Sequence, residues 1–146
     1  MHETIVIRNT VESDRSDVEH VLAINNLSIE DIGPHFKHFF VAIVNGTIVG
    51  TAGLEAYTST GFLRSVAVLP SHQDRGIGDK LVTEIEMYAR KSGLRQLVLM
   101  TTTAARYFHR KGFEPTEREL VDNDVRQSSQ FTGACPSSAI AMKKNL

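Results

Sequence analysis

The chain has 146 residues, a formal net charge of -1 and 41% hydrophobic residues. This length and composition fit one domain with a sizeable core, and the balanced charge indicates no broad basic surface for nucleic acid or an anionic membrane. No apolar run approaches the roughly 20 residues that span a bilayer. A single cysteine, Cys135, excludes an internal disulfide framework. We therefore expect a soluble, cytoplasmic protein with one domain over residues 1–146.

The first part of the chain predicts a strand, a helix and a hairpin. β-Branched residues indicate a strand over Glu3–Arg8, and helical spacing predicts an amphipathic helix from about Arg15 to Asn25. Residues 28–39 contain Gly33-Pro34 and predict a broken helix or a loop. Asn45-Gly46 lies between the β-rich runs 40–44 and 47–54, the favoured arrangement for a two-residue hairpin turn.

The chain is organised around a strand, a turn and a helix. The apolar run Phe62–Leu69 stops at Pro70, and a turn with Gly76 and Gly78 follows. Apolar residues then recur with helical spacing over 77–89. The unpaired N–H groups and dipole at such a helix start favour an anion, most often a phosphate, and glycine lets it approach the main chain.

The glycine pattern excludes two nucleotide-binding motifs. A Walker motif needs Lys-Ser/Thr after its last glycine, whereas Asp79 and Lys80 follow Gly78, and a Rossmann fingerprint needs three spaced glycines. The residues instead fit Gln/Arg-x-x-Gly-x-Gly after a Val-Ala-Val-x-Pro strand end. This unit resembles the pyrophosphate-binding motif of the GNAT superfamily of acyl-CoA-dependent N-acetyltransferases. An ordinary strand-to-helix turn is the alternative interpretation.

The remaining elements follow the GNAT order. The long helix ends at Lys91-Ser92-Gly93, and a strand over 96–100 should lie parallel to the central strand. A helix over 104–111, a helical turn within 121–131 and a last strand over 138–143 complete the chain. We therefore expect a single GNAT-like α/β domain. Its mixed sheet should have six to seven strands with a central splay, flanked by about four helices.

The resemblance implies how acetyl-CoA binds. Its pantetheine arm inserts at the splay, where the backbone groups of Val66, Ala67 and Val68 bond its amides. The Val68 N–H is the group expected to polarise the thioester carbonyl. The main chain of the glycine-bearing turn cradles the pyrophosphate, and Arg75 adds positive charge. The residues of this turn are Gln73, Asp74, Arg75, Gly76, Ile77 and Gly78.

Two residues are catalytic candidates. Glu55 closes the third strand beside the expected splay and is the candidate base for the ammonium proton, with a solvated loop-edge glutamate as the alternative. Many GNAT enzymes place a tyrosine acid four residues before the Gly-Phe that follows the last helix, but Phe108 stands there. Tyr107 lies one residue, about 100° on a helix, away. It is either the acid or a packing aromatic, with water then protonating the thiolate.

Three residues are candidates for contact with the acceptor. Arg64 and Ser65 interrupt an apolar strand, and Arg64 is suited either to an acceptor oxyanion or to a structural ion pair. Cys135, before a proline, is expected to line the acceptor pocket or to pack. His35 and His38 have no third ligand in their pattern, so no metal is expected.

The tail suggests a branch of the superfamily. Residues 99–104, Tyr107-Phe108, Lys111–Phe113 and Cys135–Ala139 resemble the arsenic-resistance N-acetyltransferases and, more distantly, amino-acid N-acetyltransferases such as N-acetylglutamate synthase. This implies acetylation of the primary amine of a small amino-acid-like acceptor, arsenic- or phosphorus-containing analogues included, by direct attack in a ternary complex.

Two alternatives remain open at this point. The acceptor could be a protein or peptide N-terminus or a polyamine, for which Glu30, Asp31 and Glu55 could supply an acidic pocket. Because Phe108 replaces the usual tyrosine, the domain could also bind acyl-CoA without turnover. A homodimer is compatible with the sequence, and neither nucleic acid nor a membrane is expected as a partner.

Overall fold

The computed structural model describes residues 3–132 and 138–146. Within these ranges the strands are β1 (Ile5–Asn9), β2 (Phe39–Val44), β3 (Thr47–Ala56), β4 (Thr60–Val68), β5 (Gln96–Thr101), β6 (Glu114–Thr116) and β7 (Ile140–Asn145). The α-helices are α1 (Arg15–Ile24), α2 (Ile77–Lys91), α3 (Ala105–Arg110), α4 (Asn123–Arg126) and α5 (Ser129–Thr132). The strands form one mixed sheet in the order β1-β2-β3-β4-β5-β7-β6. The expected α/β fold with a mixed sheet of six to seven strands is confirmed.

The chain divides into two compact units. The first comprises residues 1–54 and 65–88, as far as these are described, and the second comprises residues 55–64 and 89–146 with the same restriction. No helix in the described part of the chain is long and apolar enough to cross a membrane.

The first unit contains the predicted hairpin. β2 pairs antiparallel with both β1 and β3. At the turn, Asn45 has φ 50° and Gly46 has φ 77°. Two successive residues in the left-handed region give the turn whose twist matches that of the flanking strands, which is why Asn-Gly predicted it correctly.

α1 has the predicted buried face. Val18, Val21 and Leu22 are fully buried, and they pack in one cluster with Phe36 and Phe39. Phe36 belongs to a 3₁₀ helix over Gly33–His38. Gly33-Pro34 therefore starts a short helix, because proline is compatible with a first helical turn, where its missing N–H costs nothing.

One glycine makes room for this core. β2 and β3 place Gly53 opposite Phe39, and a Cβ added to Gly53 would lie 2.4 Å from the Phe39 ring. Because Phe39 is fully buried, the ring has no open space into which it could move.

The second unit contains the parallel pairing. Thr60, Gly61 and Phe62 pair with Gln96, Leu97 and Val98. β4 therefore begins two residues before the predicted Phe62, because Thr60 and Gly61 form part of this ladder. The predicted parallel arrangement of the two strands is confirmed.

The order of the last strands was not predicted. β7 pairs antiparallel with β5 on one side and with β6 on the other. The strand β6, Glu114–Thr116, was not predicted, since three residues carry too little local pattern. The last strand spans Ile140–Asn145 rather than 138–143, because Gln96–Thr101 sets its register across β5.

Two helices end at or within one residue of their predicted ends, Lys91 and Lys111, and each is followed by the predicted glycine. α2 ends at Lys91, and Gly93 has φ 85°. α3 ends at Arg110, and Gly112 has φ 98°. In both places glycine adopts the left-handed conformation that lets the chain leave a helix.

Candidate active site at the start of α2 and along β4

The predicted anion-binding turn lies between the end of β4 and the first turn of α2. Asp74 has φ 63° and Gly76 has φ 81°, so two residues of the turn adopt the left-handed conformation before Ile77 begins the helix. A Cβ added to Gly76 would meet no atom within 4 Å, which shows open space beside the main chain. The first N–H groups of a helix have no partner within that helix. The turn therefore has the backbone geometry and the room for a phosphate group.

Arg75 of this turn contacts the start of the chain. Its Nη1 lies 2.9 Å from Glu3 Oε1, and both side chains are exposed. His72 Nε2 lies 3.9 Å from the other oxygen of the same carboxylate. An acidic side chain thus lies beside the cation that was predicted to contact the pyrophosphate, an arrangement that sequence reasoning did not find.

Near the end of β4, alternate residues direct their backbone groups towards β3 and away from it. The Leu69 N–H donates to the Val49 carbonyl on β3 over 2.8 Å. A Cβ added to Gly50, also on β3, would lie 3.2 Å from the Ala67 carbonyl oxygen. Because successive residues of a strand direct their backbone groups to opposite edges, Ala67 and Leu69 face β3. The backbone groups of Val66 and Val68 face away from it.

Ser65 interrupts the regular course of β4. It has φ 58° and is half-buried. A side-chain-bearing residue in the left-handed region within a strand is uncommon and occurs at bulges and functional sites. The interruption comes three residues after Phe62, the last residue of β4 that pairs with β5 in the parallel register described above.

Glu55 and Arg64 form a buried ion pair in the second unit. Arg64 Nη1 lies 2.8 Å from Glu55 Oε2, and the two side chains are only 2% and 1% exposed, respectively. The Tyr57 hydroxyl donates to the other carboxylate oxygen, Oε1, over 2.6 Å. Sequence reasoning selected Glu55 and Arg64 for separate tasks, but the structure joins them in one hydrogen-bonded cluster.

The cluster strongly affects Tyr57. Burial, followed by the hydrogen bond to the Glu55 carboxylate, raises the pKa of Tyr57 well above its usual range. A hydrogen bond with Ser128 acts in the opposite direction. Tyr57 therefore remains a protonated donor at neutral pH. Sequence reasoning missed Tyr57 and Ser128, although the alternation of β3, continued one residue past its end at Ala56, could have placed Tyr57 on the same side as Glu55.

Tyr107 and Phe108 differ in exposure as their helical spacing predicts. Phe108 is buried and packs edge-on against Phe113, with ring centroids 5.6 Å apart. Tyr107 is half-buried, and its ring meets that of Phe108 at 5.0 Å. The aromatic contact agrees with a packing role, and the role of Tyr107 as an acid stays a prediction.

The remaining candidates are only partly described. Cys135 lies outside the described residues. The described residues contain no group of three or more His, Cys, Asp or Glu side chains that could hold a metal ion. His38 instead pairs with Tyr88 in the first unit, where Nδ1 lies 2.6 Å from the phenol oxygen. The catalytic roles of Glu55 and Tyr107 and the acceptor contacts of Arg64, Ser65 and Cys135 stay predictions.

Comparison with known proteins identifies related sequences. The sequence profile of the acetyltransferase (GNAT) family matches residues 7–113. An uncharacterized N-acetyltransferase from Chlorobaculum tepidum is 30% identical over 121 residues, which cover 82% of this chain and 77% of that protein. An amino-acid acetyltransferase from Pseudomonas fluorescens is 36% identical over 96 residues, or 64% of this chain.

A solved structure shares the fold. N-acetylglutamate synthase from Neisseria gonorrhoeae, crystallised with coenzyme A and N-acetyl-glutamate, superposes with a TM-score of 0.85 and 21% identity over 100% of this chain. The chain matches 36% of that protein and 22% of the Pseudomonas fluorescens amino-acid acetyltransferase. The matched part is therefore about a third of the first protein and about a fifth of the second.

Proposed function

We propose that this chain, which belongs to the acetyltransferase (GNAT) family, acetylates the primary amine of a small amino-acid-like acceptor. The acetyl donor would be acetyl-CoA. The observation that best supports acetyl-CoA as the cofactor is the open, glycine-bearing turn before α2. It lies within the family match and has room beside Gly76 for a phosphate group. Acetyl-CoA would supply the acetyl group as a thioester.

The residues of the turn and of β4 fit this cofactor. We assign the pyrophosphate to the main chain of Gln73–Gly78, because this segment combines left-handed residues with a helix start. The edge that faces away from β3 favours Val66 and Val68 for the pantetheine amides. Ala67 faces β3, so of the three predicted strand contacts it has the least support.

The proposed reaction needs little covalent catalysis by the protein, because the amine attacks the thioester directly. The chain has to align the amine with the thioester, accept the ammonium proton and stabilise negative charge on the thioester oxygen. Val68 would donate its N–H to that oxygen. Glu55 remains the proposed base, but its carboxylate already accepts hydrogen bonds from Arg64 and Tyr57. The ammonium proton would reach Glu55 directly or through water.

The acceptor class rests on the relatives. The Pseudomonas fluorescens protein is named an amino-acid acetyltransferase, and the Neisseria gonorrhoeae enzyme was crystallised with N-acetyl-glutamate. Both support an acceptor that carries a carboxylate beside its amine. Arsenic- and phosphorus-containing analogues, the homodimer and the cytoplasmic location stay predictions from the sequence.

A screen of amines tests this proposal. Thiol release from acetyl-CoA would be followed with the common amino acids, their decarboxylated amines, a polyamine and a short peptide with a free N-terminus. We expect release with at least one amino acid and a kcat/KM at least tenfold lower for its decarboxylated amine. A preference for the polyamine or the peptide would show that the acceptor belongs to that class and is not a small amino acid. Binding of acetyl-CoA without release for any amine would favour a non-catalytic acyl-CoA-binding domain.

A further inference from the structure

The carbonyl at the end of β4 accepts hydrogen bonds from two side-chain amides. Gln73 Nε2 donates to the Val68 carbonyl oxygen over 2.9 Å, and Asn25 Nδ2 donates to the same oxygen over 3.2 Å. The two amides also contact each other, since Gln73 Nε2 lies 3.4 Å from Asn25 Oδ1. One backbone oxygen thus joins two side chains that are 48 positions apart in the sequence.

Asn25 is itself held in place. It follows the last residue of α1 as the C-cap, and its Nδ2 also donates to the Val21 carbonyl over 2.8 Å. Both amide hydrogens of Asn25 therefore have acceptors, one on the helix and one on the strand. Val21 is fully buried, so the amide is anchored to the hydrophobic core of the first unit.

The edge to which the Val68 backbone groups point connects these hydrogen bonds with the proposed acetyl transfer. The N–H and C=O of one strand residue point to the same edge, and those of Val68 face away from β3. The Val68 N–H is the donor that the proposed function assigns to the thioester oxygen. The Val68 carbonyl shares one peptide plane with the Leu69 N–H, which donates to the Val49 carbonyl at the other edge. The Val68 N–H belongs to the preceding peptide plane, so the two amides restrain it through the φ and ψ angles of Val68.

The strand needs such support at this position. Ser65, three residues earlier, has φ 58° and interrupts the regular strand. Val68 is the last residue of β4. A donor that stabilises developing charge is effective only when its direction is set before reaction, and losing one such donor costs about 10²–10³ in kcat.

We propose that Asn25 and Gln73 form a clamp on the Val68 carbonyl that positions the Val68 N–H for acetyl transfer. The inference rests on the proposed function. Both are positioning residues, because they act through the Val68 main chain. Removing either donor should misalign the N–H without deleting it. We therefore expect a loss of about tenfold in kcat for each single variant, less than the loss of a whole donor.

The first test measures the main chain and needs no turnover. ¹⁵N-valine-labelled wild type, Asn25→Ala, Gln73→Ala and the double variant would be compared, with Gln127→Ala as the control. Gln127 is an exposed glutamine whose amide donates to Asn123, four residues away in the sequence. We expect the Val68 order parameter to fall from about 0.85 towards 0.6 in the double variant and to stay unchanged in the control. An unchanged Val68 order parameter in the double variant overturns the clamp, whatever the activity.

The second test separates positioning from cofactor binding. kcat should fall about tenfold in each single variant while the dissociation constant of CoA, which lacks the acetyl carbonyl, stays within about twofold. The fold loss of kcat in the double variant should be smaller than the product of the two single losses, because both amides bind one oxygen. Gln73→Arg, which keeps N–H donors, should recover most of the activity. Wild-type kcat in both single variants, or an equal loss of kcat and CoA affinity, would contradict the clamp.

A third readout separates this inference from the proposed function. In the wild type, the Val68 amide ¹H shift should differ between the CoA and acetyl-CoA complexes, and this difference should shrink in the double variant. If the wild type acetylates no amine but shows this clamp-dependent shift, the clamp stands and the acetyl-transfer proposal falls. If the shift difference is absent in the wild type, the clamp has no role at the thioester.

Discussion

Arg64 Nη1 lies 2.8 Å from Glu55 Oε2, and both side chains are almost completely buried. Removing one partner of a buried ion pair leaves an uncompensated charge, whereas replacing both costs much less. We expect Arg64→Ala to lower the free energy of unfolding by about 3–5 kcal/mol. The Arg64→Met, Glu55→Gln double variant should recover most of this loss. Urea denaturation of the wild type and the three variants, including Glu55→Gln alone, provides the measurement.

The same pair decides between the two roles predicted for Arg64. Arg64→Lys keeps the charge but loses the planar fork. If the ion pair is structural, this variant should slow an amino acid and its decarboxylated amine by similar factors. A selective loss of tenfold or more for the amino acid, in a folded protein, would instead make Arg64 the anchor of the acceptor carboxylate.

Tyr107 offers a test of how the thiolate is protonated. Its ring packs against Phe108, a contact that phenylalanine would keep. We expect Tyr107→Phe to retain kcat within about threefold, because phenylalanine keeps the packing contact. Loss of a general acid would instead lower kcat by about 10²–10⁴. Steady-state kinetics at saturating acetyl-CoA, with the CoA dissociation constant as the control, would show this. A fall of a hundredfold or more with unchanged CoA affinity would establish Tyr107 as the acid.

The contact between Arg75 and Glu3 predicts an effect on cofactor affinity. The Glu3 carboxylate accepts a hydrogen bond from the Arg75 guanidinium and would compete with a cofactor phosphate for it. Because exposed ion pairs are weak and screened by salt, we expect Glu3→Gln to tighten CoA binding by up to about fivefold at low ionic strength and less at high salt. Calorimetric titration with Glu117→Gln, another exposed glutamate, as the control would measure this. Weaker CoA binding by Glu3→Gln would show that the carboxylate supports the turn.

His38 predicts a pH dependence of stability. Burial, and then the nearby Lys37 and His35, lower the pKa of His38 below its ordinary 6.5. The unfolded state therefore takes up a proton more readily than the folded state. The stability from neutral His38 is fully present above about pH 6.5 and is lost as the pH falls below it. We expect His38→Gln to flatten this part of the stability curve, whereas His20→Gln, on the exposed face of α1, should leave it unchanged. An unaltered curve in His38→Gln would contradict the assignment.

Local chemistry explains what could be predicted of the fold. Asn45-Gly46 predicted the hairpin because the turn needs two residues with positive φ. The spacing of Val18, Val21 and Leu22 predicted the buried face of α1. β6 has three residues and is defined by its pairing with β7, which no local pattern reveals.

The candidate site shows the same limit. The turn before α2 was predictable because its glycines and its helix start are adjacent in sequence. The left-handed Ser65 has no glycine to signal it. The contacts of Asn25 with Val68 and of Arg75 with Glu3 join distant segments, so helical or strand spacing could not predict them.

A pair of glycine substitutions tests the central claim, that acetyl-CoA binds at the turn before α2 and is used for transfer. Gly76 has φ 81°, Gly93 has φ 85°, and an added Cβ at either would meet no atom within 4 Å. Gly76→Glu and Gly93→Glu therefore impose similar backbone strain, but only the first places a carboxylate in the predicted phosphate site. We expect CoA to raise the melting temperature of the wild type and Gly93→Glu but not of Gly76→Glu. Thiol release from acetyl-CoA should follow the same pattern. Folded Gly76→Glu protein with wild-type CoA affinity would contradict the account.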